Sequence, residues 1–257
     1  MIELVMVVVF SAAPAAPKAF DPRIEEAQHL RARGLPDDAL KLLAVVEAEA
    51  KKSKDAVSEG RALQKRGDLR LDAGDCEGAK GSYEAALKAL GKADSIAVAQ
   101  TWNDLGMWAK RCAEPDVQKV FFGHALGIYE ELKYQKGIRL LANNLGTANF
   151  VGGDKTTALG FFKKAAAAAR AMGDDEAWLT VQANVALMEL LLAQERLGRA
   201  CTAFTASEKK DRGFQRAVAA FREAATVSVR AGSSPLAVCA KFGGAFSPLC
   251  EPCLINH

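Results

Sequence analysis

Apolar and small residues recur along this chain at helical spacing, and the pattern itself repeats about every 40 residues. A small residue returns at Ala27, Gly67, Gly106, Gly146 and Ala186, in steps of 40, 39, 40 and 40. A bulky residue keeps pace at Leu43, Tyr83, Phe122, Phe162 and Phe204, in steps of 40, 39, 40 and 42. Four residues before each stands Ala39, Ala79, Gln118, Ala158 or Ala200, and three after stands Val46, Ala86, Ala125, Ala165 or Ser207. Positions i, i+4 and i+7 share one face of an α-helix, so this second set marks one buried helix face per copy. Turn chemistry separates it from the first set: Gly34-Leu35-Pro36-Asp37, Gly74-Asp75, Glu114-Pro115-Asp116 and Gly152-Gly153-Asp154. Glycine closes a helix and Asp or Pro opens the next. Each copy therefore predicts a helix–turn–helix. Such a pair cannot bury its apolar face alone, so the copies must stack into an all-α solenoid.

These columns resemble the tetratricopeptide repeat (TPR). The resemblance is closest at Leu145-Gly146, Gly153-Asp154, Ala158, Phe162 and Ala165, and at Gly67, Gly74-Asp75, Ala79, Tyr83 and Ala86-Leu87. With Asn143-Asn144-Leu145-Gly146 and its long period, the chain is similar to the repeats of kinesin light chains and bacterial TPR regulators. The resemblance covers about residues 22–210 and implies a right-handed superhelix of about five repeats. It also implies first helices lining a concave groove that binds peptides or proteins, with no catalytic chemistry and no cofactor. The expected organisation is 1–19 as signal peptide and linker, 20–210 as the array and 233–257 as a Cys-rich tail. Ala217, Phe221 and Ala224 repeat the second-helix spacing, yet strict alternation after a helix through Phe204 would make this stretch a first helix. Residues 211–232 are therefore expected to form a capping helix, the alternative being an irregular sixth repeat.

The register places one column of the groove at Gln64, Asn103, Asn143 and Ala183, and the next at Lys65, Asp104, Asn144 and Asn184. Each amide carries donors and acceptors, which suits an extended main chain, although such amides also bridge helices or stay solvated. Met107, Lys110, Thr147, Phe150 and Leu187 would supply side-chain pockets. The peptide-binding candidates are Gln64, Asn103, Met107, Lys110, Asn143, Asn144, Thr147 and Asn184. Some TPR proteins grip a C-terminal carboxylate with a basic clamp. The matching positions here hold Gln64, Asp68, Asp104, Leu140 and Asn144, so two acids and a leucine stand where the clamp needs Lys, Arg and Asn, and that role does not carry over.

Composition narrows the picture further. Lys and Arg number 34 against 31 Asp and Glu, a formal +3 too even and too dispersed for a nucleic-acid binder. A 50% hydrophobic content excludes the highly charged disordered class, and 7% aromatics with abundant Ala disfavour β-sandwiches and barrels. Three histidines leave little for metal or acid–base chemistry. His29 and His124 read as helix-surface residues. There is no phosphate loop, no Gly-x-Ser-x-Gly elbow and no His-Glu-x-x-His, and Gly152-Gly153-Asp154-Lys155 is a repeat turn.

The run Leu4 to Phe10, followed by Ser11-Ala12-Ala13-Pro14-Ala15, reads as a secretory signal, despite Glu3 where Lys or Arg is usual. It is too short to span a bilayer, so no stable membrane insertion is expected of the mature chain. Export to a bacterial periplasm or beyond would permit disulfides, with Cys76, Cys112, Cys239, Cys250 and Cys253 as candidates. Cys76 and Cys112 lie near the turns of consecutive repeats, and bridging them needs Cα atoms within about 4.4–6.8 Å. Cys250-Glu251-Pro252-Cys253, with His257, could alternatively be a redox pair or part of a metal site, but no helix of useful length can follow it. The sequence thus points to a non-catalytic interaction adaptor with a protein or peptide partner. Its alternatives are a thiol-redox or metal protein, a self-associating structural subunit, and a cytoplasmic rather than exported module.

Overall fold

Aspartates open several helices of this chain by the same chemistry. Asp55, Asp75, Asp94, Asp154 and Asp174 each accept backbone N–H bonds from two or three residues on, satisfying donors that the first helical turn leaves unpaired. Two other helices begin with Pro36 and Pro115, whose fixed φ suits the first helical position. In the preceding turns Gly74 and Gly153 hold φ of +80° and +86°, a region glycine enters without steric cost.

The computed structural model describes residues 19–112, 114–200 and 205–230. Its helices are α1 (Arg23–Ala32), α2 (Pro36–Ser53), α3 (Ala56–Asp72), α4 (Cys76–Leu90), α5 (Ser95–Arg111), α6 (Pro115–Glu131), α7 (Gln135–Val151), α8 (Lys155–Met172), α9 (Asp175–Leu197) and α10 (Arg212–Arg230). No strand occurs among the described residues. Consecutive helices pack on one another as five successive pairs. The amino-terminal run read as a secretory signal, residues 201–204 with Cys201 and Phe204, and the tail with Cys239, Cys250, Cys253 and His257 lie outside the described residues.

The repeating small residue works as its column predicts. A Cβ added to Gly67 would stand 2.5 Å from the Tyr83 ring, one on Gly106 2.3 Å from Phe122, and one on Gly146 2.6 Å from Phe162. Only hydrogen fits there, so first and second helices meet closely around a buried aromatic.

The fifth pair departs from the expected spacing. Where the spacing predicts a helix through Ser207, the described residues from Thr205 make a turn and then a 3₁₀ segment at Glu208–Lys210. Asp211 then caps α10 by accepting from Gly213 N and Phe214 N at 2.9 and 3.0 Å. Ala217, Phe221 and Ala224 of α10 join one core with Ala186 of α9. What reads in sequence as a cap or a sixth repeat is thus the second helix of the fifth pair, reached after fourteen connecting residues where the other pairs use three. The physical reason is the face of α9: Ala186 needs an aromatic opposite it, and Phe221 supplies one.

Pairs two and three carry additional ties. Cys76, the first residue of α4, and Cys112, which ends α5, form a disulfide with Cα atoms 6.0 Å apart. Beside it Trp108 Nε1 donates to the Cys76 carbonyl at 2.7 Å, and Arg111 pairs with Asp72 at 3.2 Å.

Candidate functional site on the face of the first helices

Stacking brings each first helix beside the next, and the two amide columns then meet across the gap between pairs. Gln64 Nε2 donates to Asp104 Oδ2 at 2.6 Å. Asn144 Nδ2 donates to Asn103 Oδ1 at 3.3 Å, and Asn184 Nδ2 to Asn143 Oδ1 at 3.1 Å. The second column of one pair is therefore bonded to the first column of the pair before it, giving three rungs along α3, α5, α7 and α9. Asn103 Nδ2 also donates to Asp104 Oδ1 at 3.2 Å, linking the first two rungs. Five of the eight residues expected in the groove meet in this ladder. Each rung uses one donor and one acceptor, and the asparagines are half-buried. Met107 and Lys110 are exposed further along α5, while the Thr147 hydroxyl is tied to its own helix through the Asn143 carbonyl. His29 and His124 are exposed, the latter against the Trp102 ring.

Next to the first rung opens a pocket of about 360 Å³, walled by α1, α3, α5, the end of α6 and the start of α7. Its charges are mostly matched. Arg61 and Asp94, both nearly buried, pair at 2.9 Å, and Arg61 also donates to Gln100 Oε1 and lies over the Phe20 ring. Lys65 pairs with Asp68 at 2.8 Å, and the Tyr83 hydroxyl donates to the same carboxylate. Asp104 differs, because two neutral amides hold it and, among the described residues, no cation lies within ion-pair distance of it. Burial first, and the Asp68 charge second, push its carboxyl up to about 7, against the opposing pull of Lys65 and the two amide donors. Burial likewise pushes the Tyr83 and Tyr129 phenols well above their usual range, so both stay neutral. Two buried polar atoms here have no partner: Gln64 Oε1, on a side chain 2% exposed, and Arg61 Nε.

Sequence reasoning places Asp104 beside the groove but weighs it only as a clamp position, and it misses Arg61, Tyr129, Tyr134 and Lys136. One signal for the tyrosines is Gly137, where a Cβ would meet the Tyr129 ring at 2.4 Å. A second cavity of about 370 Å³ lies between α8, α9 and α10. There Glu189, 2% exposed, receives Lys163 at 2.7 Å and Arg216 at 2.9 Å, so its acid is already partnered. Among the described residues no group of three or more His, Cys, Asp or Glu could hold a metal ion, and no helix is long and apolar enough to cross a membrane.

No protein-family model matches the sequence, and no curated protein does. Solved structures do match the fold. A kinesin light chain-like protein of Podosopora anserina, with nearly identical TPR-like repeats, superposes at TM-score 0.58 and 13% identity over 82% of this chain and 96% of that one. The signal-transduction ATPase with numerous domains and a TPR sensor from Pyrococcus horikoshii gives 0.57 and 12%, over 87% of this chain and 35% of that one. MamA gives 0.51 and 15%, over 82% and 92%. The chain has the fold of a TPR solenoid.

Proposed function

We propose that this chain is a non-catalytic protein-interaction adaptor that binds an extended peptide or a helix along the face lined by α3, α5, α7 and α9. The observation that carries the reading is the ladder, whose rungs repeat at about the spacing of the helix pairs and whose half-buried asparagines have bonding capacity beyond the rung bonds. Protein partners also fit the fold class to which the neighbouring structures belong. The Cys76–Cys112 disulfide supports an oxidising compartment for the working protein, in keeping with export.

The test is crosslinked affinity capture from the native host, comparing wild type with Asn103→Ala/Asn143→Ala/Asn144→Ala. Because these asparagines also tie the pairs together, a second variant, Met107→Glu, changes the exposed face without touching a rung. A partner held by wild type and lost by both still-helical variants supports the groove. Identical capture by all three moves the interaction elsewhere and removes this reading.

A further inference from the structure

The first rung is built unlike the others, and the difference points to a ligand. In the second and third rungs an amide faces an amide, and a donor meets an acceptor. In the first, Gln64 turns its nitrogen toward the Asp104 carboxyl, which leaves Gln64 Oε1 buried with no donor among the described residues. A buried acceptor without a partner is costly, and both Gln64 and Asp104 line the pocket. The pocket therefore gathers two acceptors that lack a strong donor: a buried amide oxygen and a carboxyl with no bonded cation. Tyr129 and Tyr134 rings stand in its wall, and Leu140 at its edge is 42% exposed.

We propose that this pocket receives an arginine side chain of the partner segment, a reading that rests on the adaptor role above. A guanidinium is a planar fork of five donors and no acceptor. It can pair with a carboxylate while directing a further N–H at a neighbouring oxygen, and its face suits an aromatic wall. Its methylene stem would run over Leu140. The pocket's resident cations do not compete strongly, since Arg61 is held by Asp94 and Lys65 by Asp68, while Lys136 stands exposed at the edge. An ammonium would satisfy the carboxylate but has no fork to span both acceptors.

Facing Asp104 are Lys65 and Asp68 of α3, with Tyr83 of α4, Tyr129 of α6 and Lys136 of α7 around them. With its carboxyl pushed up to about 7, Asp104 gains charge as pH rises through neutrality, so a cation should bind better on the alkaline side.

The experiment is an NMR titration of the full ¹⁵N-labelled chain with N-acetyl-arginine methylamide, beside the citrulline, lysine and glutamate counterparts, at pH 6 and pH 8. The expected result is a saturable shift centred on Gln64 and Asp104. Citrulline, the neutral isostere, should bind about tenfold more weakly, and arginine about tenfold more tightly at pH 8 than at pH 6. Asp104→Asn, which keeps the rung's shape, should abolish both the preference and the pH dependence. Equal binding of arginine and citrulline, tighter binding of lysine or glutamate, shifts centred elsewhere or no saturable shift would each overturn the proposal. Capture that differs between wild type and groove variants without probe binding overturns this inference and leaves the adaptor standing. Probe binding without any captured partner supports the pocket and removes the adaptor.

Discussion

The first and third rungs bridge the same two columns across one step of the stack, yet they settle differently. Asn184 and Asn143 satisfy each other as a neutral pair at 3.1 Å. Gln64 and Asp104 meet at 2.6 Å but leave one oxygen unpaired and a carboxyl that resists ionisation. The surroundings differ in the same direction. The first rung sits beside a buried ion pair and a polar pocket. Beyond the third, Glu189 is already closed off by two cations. An acid enclosed by its own chain's cations is committed to the fold, whereas one held only by amides keeps part of its bonding capacity for something else.

The largest disturbance to this contrast should come from Arg61→Ala, which strips the buried Asp94 of its cation. We expect a loss of about 3–5 kcal/mol in urea unfolding; a loss under about 1 kcal/mol would show that Asp94 does not depend on the pair. Next is the disulfide that joins pairs two and three, closing a separation of 36 residues. Cys76→Ser/Cys112→Ser should lower stability by about 2–4 kcal/mol, read as a shifted urea midpoint.

Asp104→Asn converts the first rung to the chemistry of the others and should act in the opposite sense. An acid whose folded pKa stands above its unfolded one makes stability fall as pH rises, here between about 4 and about 7. The Asn variant lacks that slope, so its stability relative to wild type should rise by about 2–3 kcal/mol between pH 5 and pH 8. Thermal melts at the two pH values check this, and equal gains at both would contradict it. The smallest effect is expected from Asn184→Ala, about 0.5–1 kcal/mol for one half-buried bond. Asn184→Asp sharpens the comparison, because it should import a falling stability-versus-pH profile into the third rung.

The frame was legible because its causes are local. Gly67, Gly106 and Gly146 each sit sixteen residues before Tyr83, Phe122 and Phe162, and one constant turn length converts that spacing into contact. The same spacing misleads once the connection lengthens, since Phe204 falls in step while Phe221 shares the core with Ala186. The amide columns were legible as columns, but their rungs join different columns of successive pairs, which depends on how far one pair is offset against the next. Arg61 looks like any surface arginine of a helix until α5 brings Asp94 beside it. The unusual acid of Asp104 was hidden for a similar reason, because its burial and its Asp68 neighbour come from stacking.

The fourteen-residue connection between α9 and α10 also bears on the order in which the stack comes apart. Compared with a three-residue turn, so long a tether raises the entropic cost of bringing its two helices together by about 1 kcal/mol. In a one-dimensional array each pair leans only on its neighbours, so this cost falls on the last pair alone. Peeling should start from the carboxyl side, and amide hydrogens of α10 should exchange before those of α3 and α5. The third rung then opens while the first is still closed.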